Sequence, residues 1–404
     1  MKILVINTGS SSIKYELFDV GHYKILAGGL AEKIGEESSL LTHKKILPGG
    51  ESIEKVQKGL IADHYDGLNR IVKLLVDPKD GVIADKTDIS AVGHRVVHGG
   101  EAFHSTRIID KNVIAAIKKN IPLAPLHNPP NLMGIEVAGS IFTDAPQVAV
   151  FDTAFHQTIP ACAFLYAIPH EMYERHKVRR YGFHGTSHAF VSERAAEYLG
   201  RPLTELNLIT IHIGNGASMA AIKKGKCVDT SMGMTPLAGL VMGTRSGDVD
   251  PALVFFLADH LKMSLKEIDA LLNRESGLKG MCGTNDMREV IKKKDAGDKQ
   301  AKIAIEVYTY RIKKYIGAYF AALESLDCVV FTAGIGENAP YIRERSCSGL
   351  NGLGIKIDLG KNNMAGNGIR KISPPDSKVN VLVIPTNEEL KIAQETKRVI
   401  ESKS

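Results

Sequence analysis

Two polar turns that interrupt apolar strands contain the residue types needed to bind phosphate groups. NTGSSSIK, residues 7–14, offers backbone amides, hydroxyl groups and the Lys14 ammonium, and HIGNGAS, residues 212–218, offers glycine-rich amides with His212 at its edge. Backbone N–H groups and a nearby cation together suit a polyphosphate. The first turn is not a Walker A loop, because GxxxxGK[ST] is absent and a strand follows the turn. A plain hairpin is the alternative for each turn.

Two arginines lie on glycine-containing segments where a guanidinium could bind an anion. In GHRVVHGGE, residues 93–101, Arg95 stands among apolar residues of a strand, and a buried arginine is costly unless an anion pairs with it. That anion could be a bound carboxylate or phosphate, or an internal Asp or Glu. In MGTRSGDVDP, residues 242–251, Arg245 could reach a transferring phosphoryl group. A solvated loop arginine is the alternative there.

RRYGFHGTSH, residues 179–188, contains two histidines, His184 and His188, at the spacing of one helical turn. On a helix they could bind a metal ion. However, Gly182 and Gly185 flank the first histidine and predict a loop, and no acidic third ligand has suitable spacing. We therefore favour an imidazole that donates a hydrogen bond to an oxyanion.

Two further segments follow predicted buried strands. FTAGIGENAP, residues 331–340, predicts a strand, a glycine-rich turn and a helix near Pro340, and the turn could cradle a nucleotide or simply join strand to helix. It matches the GxGxxG dinucleotide motif weakly, because Ala339 replaces the third glycine. Asp152 ends the strand QVAVF, where ligands bind in open α/β sheets. Since no serine or cysteine nucleophile motif is present, these residues favour phosphoryl transfer, which depends mainly on positioning and charge neutralisation.

The elements that must position these residues are strands and helices mixed along the chain, which predicts an α/β fold. Lys2 to Val20 has the pattern of strand, turn and strand, and Leu208 to Ile222 repeats that pattern about half the chain later. We interpret the repeat as an internal duplication into two domains, each opening with a phosphate-facing hairpin. Boundaries placed after buried strands give a first domain of residues 1–151 plus 386–404 and a second of residues 152–385.

Amphipathic periodicity and capping residues predict the helices between these strands. They are expected over Gly59 to Val76, over Lys111 to Lys119, over the Ser-capped SLKEIDALLN, along a stripe of Ile305, Tyr308, Ile312, Ile316 and Tyr319, and over Glu388 to Ile400. Proline-rich LAPLHNPPN lies between the second of these helices and the strand QVAVF, and we assign it no helix.

Composition limits the class of protein. The 404 residues exceed what one hydrophobic core usually supports, and 44% apolar with 24% charged residues is typical of a globular protein. The net charge of +6 forms no basic block, which argues against a nucleic-acid surface and favours small anionic substrates. Five cysteines without CxxC spacing, no signal-peptide pattern and no apolar run of membrane-spanning length predict a reduced cytoplasmic protein without a membrane anchor.

In their joint order, these motifs resemble the acetate kinase family of the acetate and sugar kinase, heat-shock chaperone and actin superfamily. The resemblance covers nearly the whole chain and rests on NTGSSSIK, GHRVVHGGE, FDTAFH, RRYGFHGTSH, HIGNGAS, GIGENAP and PTNEEL. It implies two duplicated actin-like, ribonuclease H-like domains with the active site in the cleft between them. It also implies reversible transfer of the ATP γ-phosphoryl group to acetate by direct in-line displacement, giving acetyl phosphate and ADP. Mg²⁺, with Mn²⁺ as a substitute, and a homodimer are part of the same implication.

The resemblance further implies a role for individual residues. The catalytic residues would be Asp152, His184, Arg245, Arg95 and His127. The acetate site would comprise Arg95, Val97, Leu126, Phe183 and Pro236. ATP would be bound by Lys14, Ser10, Ser12, His212, Ile213, Gly214, Asn215, Gly216, Asp286, Met287, Arg288, Gly334, Ile335, Gly336, Glu337 and Asn338. The metal ion would be associated with Asn7 and Glu388.

Two details of the implied reaction follow from physical argument. A simple carboxylic acid is already ionised near pH 7, so acetate needs no general base, and we expect Asp152 to position magnesium rather than to move a proton. Val97 leaves a small acyl pocket, so acetate should be preferred to propionate and butyrate should be poor. One methylene is worth only about 1–3 kcal/mol, so some propionate activity is expected. The rival interpretations are another short-chain acyl kinase and an actin-like nucleotide switch.

Overall fold

Two β-sheets, each packed with helices, organise the protein, whose computed structural model describes residues 1–402. The first sheet belongs to a unit made of Met1–Ala154 and the described residues from Asn387 onward, and the second belongs to a unit made of Phe155–Thr386. The predicted α/β class is confirmed. The predicted domains, residues 1–151 plus 386–404 and residues 152–385, stay a prediction about which segments move together.

The first sheet has eight strands in the order β5-β4-β3-β2-β1-β6-β8-β7. They are β1 Lys2–Gly9, β2 Ser12–Asp19, β3 Lys24–Glu32, β4 Leu40–Ile46, β5 Ser52–Lys58, β6 Ile89–Val96, β7 Arg107–Ile108 and β8 Gln147–Phe151. Strands β1, β2 and β3 pair antiparallel, and β1, β6 and β8 pair parallel. The first predicted hairpin is therefore confirmed, with a two-residue turn between Gly9 and Ser12.

The second sheet has six strands in the order β11-β10-β9-β12-β14-β13. They are β9 Asn207–Ile213, β10 Ala217–Lys223, β11 Lys226–Thr230, β12 Cys328–Thr332, β13 Arg370–Lys371 and β14 Asn380–Val383. Here β9, β10 and β11 pair antiparallel, and β9, β12 and β14 pair parallel. This is the same order and direction as β1, β2, β3, β6 and β8, so the topology supports the predicted duplication.

Fifteen α-helices in the described part of the chain connect or cover these strands. They are α1 His64–Leu75, α2 Lys111–Lys119, α3 Asn128–Ile141, α4 Ala161–Phe164, α5 Glu171–His176, α6 Gly185–Leu199, α7 Ala252–His260, α8 Leu265–Arg274, α9 Gly277–Cys282, α10 Met287–Asp295, α11 Lys299–Leu323, α12 Ala333–Asn338, α13 Pro340–Cys347, α14 Leu359–Asn363 and α15 Glu388–Glu401. Within residues 1–402, none of them combines the length and the apolar character that crossing a membrane requires.

Residues Ile3 to Ile6 of strand β1 are all apolar and buried, because helices cover both faces of this part of the strand. Ile3 and Val5 belong to a core cluster with Ile392 of α15, whereas Leu4 and Ile6 belong to a cluster shared with α1 and α3. The predicted stripe on α11 is also confirmed, since all five of its residues are buried. Strand β1 is thereby fixed from both sides, and its carboxyl end is held in place for the site.

Four segments differ from the sequence-based expectations. Helix α3 begins inside proline-rich LAPLHNPPN, because proline is tolerated in the first turn of a helix. GIGEN is helical rather than a turn, since α12 begins at Ala333, whose φ is +64°. The predicted loop of RRYGFHGTSH ends at His184, where α6 begins. In addition, α1 begins at His64 rather than near Gly59, because the Asp63 side chain caps it.

Candidate active site

Arg95 and Asp152 form an ion pair at the carboxyl ends of two neighbouring parallel strands. Arg95 lies in β6 and Asp152 follows β8, and the pairing of Val96 with Phe151 puts both residues at one sheet edge. Arg95 Nε and Nη2 donate to Asp152 Oδ2 over 3.0 and 2.6 Å, and Asp152 is fully buried. Arg95 Nη1 makes no hydrogen bond among residues 1–402. The internal carboxylate thus engages only part of the guanidinium and leaves a donor for a second anion.

Further acidic side chains surround this ion pair. Glu388 Oε2 lies 4.0 Å from Arg95 Nε, and the Lys14 ammonium pairs with Glu389. Burial raises the pKa of Glu388, and neighbouring carboxylates add to that rise while Arg95 opposes it. Burial together with the Glu389 charge raises the pKa of Glu16 to about 7. The carboxyl groups outnumber the two cations, and a divalent cation would offset the excess negative charge.

Asn7 and Glu388 supply donors that fit a magnesium ion. The Asn7 amide, at the carboxyl end of β1, has no hydrogen-bond partner in the described part of the chain. In the same residues, no group of three or more His, Cys, Asp or Glu side chains is arranged to hold a metal ion. Mg²⁺ prefers oxygen ligands and keeps several waters, so one or two protein ligands and a substrate phosphate suffice. The donor set therefore fits Mg²⁺ and does not fit a fully protein-ligated metal.

Two buried asparagines that sequence analysis did not select hold the segment after β6. Asn131 Oδ1 accepts from Val97 N over 3.0 Å, and its amide donates to Thr8 O over 2.9 Å, so it joins β1 to this segment. Asn128 Oδ1 accepts from His98 N over 3.1 Å, and its amide donates to His98 O over 3.0 Å. The sequence feature that could have identified them is the segment HNPPN, in which an asparagine stands on each side of two prolines that can begin a helix.

The residues predicted to bind acetate are divided between the two units. Val97 is buried in the first unit, where Leu126 is 57% exposed and His127 lies at the N-cap of α3. Phe183 is buried in the second unit, and Pro236 is half-buried there. The predicted acyl pocket stays a prediction.

In the second unit, His184 and Arg245 converge over Gly216, which has no side chain. A Cβ on Gly216 would lie 2.7 Å from Arg245 Nη2 and 3.5 Å from His184 Nε2. Arg245 Nη1 donates to Pro236 O over 2.6 Å, and burial lowers the pKa of Arg245. The His184 ring stacks on His212 with centroids 4.2 Å apart. A cation and an imidazole that meet above a glycine can stabilise the negative charge that develops on a transferring phosphoryl group.

The backbone holds His184 in a left-handed conformation, with φ of +55°. Such a conformation costs about 1–3 kcal/mol for a non-glycine residue and persists only where the surroundings require it. The preceding turn is tight, since a Cβ on Gly182, whose φ is +78°, would lie 2.3 Å from Thr230 Cγ2. Phe183 lies between Gly182 and His184, and its carbonyl oxygen accepts a hydrogen bond from His156 Nε2 over 2.9 Å, which fixes this part of the backbone. His184 thus lies at the N-terminus of α6, whose first amides favour an anion.

A cavity of about 600 Å³ opens beside the turn between β9 and β10. Its lining residues are Gly214, Asn215, Asn285, Asp286, Met287, Arg288, Ile291, Gly334, Ile335, Asn338 and Ala339. They come from all three segments predicted to bind ATP, and the volume suits a nucleotide. Sequence analysis did not assign three of these residues to the ATP site: Ile291, Ala339 and Asn285, whose amide donates to Asn215 Oδ1 over 2.9 Å. At the cavity wall, hydrogen bonds from Arg288 lower the pKa of Asp286 to about 2.

The remaining residues predicted to bind ATP do not line this cavity. They are His212, Ile213, Gly216, Gly336 and Glu337 in the second unit, and Ser10, Ser12 and Lys14 in the first. Ile213 is buried in β9, and Glu337 Oε1 accepts from Thr386 N over 3.2 Å. Ser10 is exposed in its hairpin turn, and a phosphate at Lys14 would compete with Glu389.

Comparison with known proteins gives a consistent result along the whole chain. The model of the acetokinase family matches residues 2–394. Acetate kinase from Nitratidesulfovibrio vulgaris Hildenborough is 54% identical over 401 residues, covering 99% of this chain and 100% of the relative, and that from Thermotoga maritima is 55% identical over 404 residues, covering 99% of each. The Porphyromonas gingivalis acetate kinase structure superposes with a TM-score of 0.93 at 46% identity, covering 99% of each chain. A Francisella tularensis propionate kinase superposes with a TM-score of 0.91 at 44% identity, covering 98% of this chain and 99% of the other.

Proposed function

The chain belongs to the acetokinase family, and from this premise we propose that it is an acetate kinase that transfers the γ-phosphoryl group of ATP reversibly to acetate. The products are acetyl phosphate and ADP. The observation that carries the proposal is the convergence of His184 and Arg245 over Gly216, in the same turn whose first two residues line a nucleotide-sized cavity.

Acetate is a competent nucleophile without a base, because its carboxyl group is ionised near pH 7. One carboxylate oxygen forms a bond to the γ-phosphorus while the bond from that phosphorus to the bridging oxygen of ADP breaks, so no proton needs to move. Arg95 Nη1 is suited to hold the acetate carboxylate, since Nε and Nη2 are engaged by Asp152. In this proposal Asp152 orients Arg95 and contributes charge beside the metal, and it transfers no proton.

Charge on the transferring group is balanced by fixed donors. Arg245 supplies a cation and His184 an imidazole, and both act by position rather than by covalent chemistry. Asn7 and Glu388 would hold Mg²⁺, or Mn²⁺ as a substitute, which when bound supplies positive charge to the phosphate oxygens. In the proposed reaction, Arg95 binds acetate and the second unit's cavity binds ATP.

Acetate is the proposed acceptor in preference to propionate. Val97 is buried and held by Asn131, so it restricts the acyl group with little freedom to yield. A hydrophobic pocket discriminates one methylene by only about 1–3 kcal/mol, so propionate should be a slower substrate and butyrate a poor one. A kcat/KM for butyrate above that for acetate would contradict the pocket assignment.

We further propose a cytoplasmic homodimer. Four of the five cysteines are buried free thiols, which suits a reducing compartment that supplies ATP. Helix α7 exposes Phe255 and Phe256, and Leu261 and Leu265 after it are also exposed. These four residues, the α7 patch, carry no charge, so a second copy of the same patch can face them across a twofold axis.

The direct test is to trap the acyl phosphate as its hydroxamate with and without acetate, while ADP is measured in parallel. The proposed function predicts acetate-dependent hydroxamate in equal amount to ADP. Arg245→Ala should lower the rate by about 10³-fold or more. Arg201→Ala is the matched control in the same unit, because Arg201 is exposed and its partner Asp327 immediately precedes β12, at the end of β9 opposite to the turn that contains Gly216. ADP formation that does not respond to acetate, without hydroxamate, would instead support the nucleotide switch.

A further inference from the structure

Behind the His184 imidazole, a chain of hydrogen bonds runs into the second unit. His184 Nδ1 lies 2.9 Å from Ser218 Oγ, which lies 2.8 Å from His188 Nε2. His188 Nδ1 in turn lies 2.7 Å from Thr210 Oγ1. Ser218, His188 and Thr210 are all fully buried, and we call these three residues the hydroxyl–imidazole chain. None of them is among the residues predicted to form the site.

A proton count couples the two histidines. The Ser218 hydroxyl has one proton, two lone pairs and two imidazole partners. If both ring nitrogens were protonated, Oγ could accept from both, but the buried hydroxyl proton would have no acceptor within residues 1–402. If both nitrogens lacked a proton, the single hydroxyl proton could serve only one of them. The favoured state therefore has a proton on one of the two nitrogens, His184 Nδ1 or His188 Nε2. The tautomer of His188 thus decides the tautomer of His184.

Thr210 selects one of the two arrangements. Its hydroxyl is fully buried, and His188 Nδ1 is the only hydrogen-bond partner that residues 1–402 offer it. A buried donor without an acceptor carries a desolvation penalty, so the hydroxyl donates to Nδ1. The His188 proton is then on Nε2, which donates to Ser218, and Ser218 donates to His184 Nδ1. Burial and the neighbouring imidazoles His156 and His212 lower the pKa of His188, in line with a neutral ring.

We propose that Thr210, His188 and Ser218 are positioning residues that hold His184 as a neutral imidazole with its proton on Nε2. This inference rests on the proposed function, in which that N–H donates to an oxygen of the transferring phosphoryl group. Nε2 is the His184 nitrogen nearer to a Cβ built on Gly216, the position that Arg245 Nη2 also approaches, so its N–H lies on the side of the ring proposed for the phosphoryl group.

The groups that face His184 from neighbouring elements agree with a neutral ring. They include the guanidinium of Arg245, the stacked imidazole of His212, the Ser218 hydroxyl and, beyond it, the imidazole of His188. A second cation beside Arg245 would be repelled. In the proposed site, Arg245 thus supplies a positive charge and His184 supplies a hydrogen bond from a neutral ring.

The first test is ¹⁵N NMR of the histidine-labelled full chain, which distinguishes a protonated from an unprotonated ring nitrogen. We expect His184 and His188 both to show a protonated Nε2 and an unprotonated Nδ1 at neutral pH. A protonated His184 Nδ1, alone or together with Nε2, would overturn the proposal. Thr210→Val should change the His188 signals and, through Ser218, those of His184.

The second test is kinetic and uses two matched threonines of the same sheet. Thr210→Val should lower kcat by at least about tenfold, with KM for ATP and for acetate within about twofold, because a wrongly placed proton weakens a donor to the transition state. Thr210→Ser, which keeps the hydroxyl, should restore most of the rate. Thr230→Val is the control, since the Thr230 hydroxyl is equally buried but donates to Met219 O over 2.9 Å.

Equal losses in Thr210→Val and Thr230→Val, or a loss confined to KM, would show a merely structural role and overturn the proposal. The NMR measurement needs neither ATP nor acetate. A chain with the expected tautomers but no acyl phosphate would therefore contradict the proposed function and leave the proton arrangement established. An active kinase with a protonated His184 Nδ1 would contradict only the hydroxyl–imidazole chain.

Discussion

Two nitrogens of Arg95 donate to one oxygen of Asp152. Arg95 therefore neutralises a buried carboxylate and also offers its remaining nitrogen to acetate. Arg95→Gln removes the donor proposed for acetate and leaves a buried carboxylate without its cation. Hydrogen bonds to charged groups contribute about 1.5–3 kcal/mol, so we expect the KM for acetate to rise about 10–100-fold while the KM for ATP changes less than about twofold. Steady-state kinetics with each substrate varied will measure the two effects. An equal rise in both KM values would count against the acetate assignment.

Asn7 provides an amide oxygen that has no hydrogen-bond partner among residues 1–402, and we assign this oxygen to the metal. Asn7→Ala should therefore raise the Mg²⁺ concentration needed for half-maximal rate by about tenfold, the loss expected for one metal-associated ligand, and leave the KM for acetate nearly unchanged. Titration of activity with MgCl₂ at saturating ATP measures this. Asn7→Asp, which keeps an oxygen ligand, is the comparison variant. Equal loss of metal dependence and acetate affinity in Asn7→Ala would mean that this turn mainly holds the fold.

Glu16 offers a prediction about pH and stability. Burial raises its pKa to about 7, and Oε2 has no hydrogen-bond partner in the described residues. A raised pKa means that the folded state favours the neutral acid. The stabilisation that neutral Glu16 gives to the folded state is therefore complete below about pH 4 and is lost as the pH rises through 7. Glu16→Gln stays neutral and should exceed the wild type in free energy of unfolding increasingly from pH 5 to pH 8, by at most about 3 kcal/mol.

Urea unfolding at several pH values will measure this difference. Glu32→Gln, on the neighbouring strand β3, is the control for removing a carboxylate from the same sheet. A difference between Glu16→Gln and wild type that does not vary with pH would contradict the assignment.

At the scale of elements, Asn131 of α3 joins the ends of β1 and β6. Asn131→Ala would leave Val97 N and Thr8 O without these partners, and each unsatisfied buried group costs about 1–3 kcal/mol. We expect a loss of about 2–4 kcal/mol in the free energy of unfolding and a higher KM for acetate, since Val97 loses its support. Asn69→Ala, on the exposed face of α1, should change stability by less than about 0.5 kcal/mol. Comparable losses in the two variants would remove the special role of Asn131.

Elements were predictable where their signal is local. Both hairpins follow from alternating apolar residues, and α11 follows from a repeated apolar stripe. Helix α3 was not predicted, because prolines usually mark the absence of a helix and only their position in its first turn reverses that meaning. The role of Ser218 was equally hidden, since its partner His184 is 34 residues away and a serine in a buried strand gives no local indication of it. The two hairpin turns, in contrast, could be placed from composition and spacing, while their phosphate-binding role stays a prediction.

For the whole molecule, the α7 patch predicts the state of association. Phe255→Asp places a charge in the patch, so we expect the dimer to dissociate into monomers, measured by light scattering after size-exclusion chromatography. Tyr65→Asp is the control, because Tyr65 is an exposed aromatic residue of the first unit outside this patch. A dimer that survives Phe255→Asp would place the interface elsewhere.

The repeated strand order of the two sheets also indicates how the protein evolved. Two halves that add strands in one order and with one alternation of direction are what duplication and fusion of an ancestral gene leave behind. Since then the turn after the opening strand has diverged, to two residues in one half and three in the other. The three-residue turn contains Gly216, over which His184 and Arg245 converge, so the two halves offer different chemistry at corresponding positions of one shared strand order.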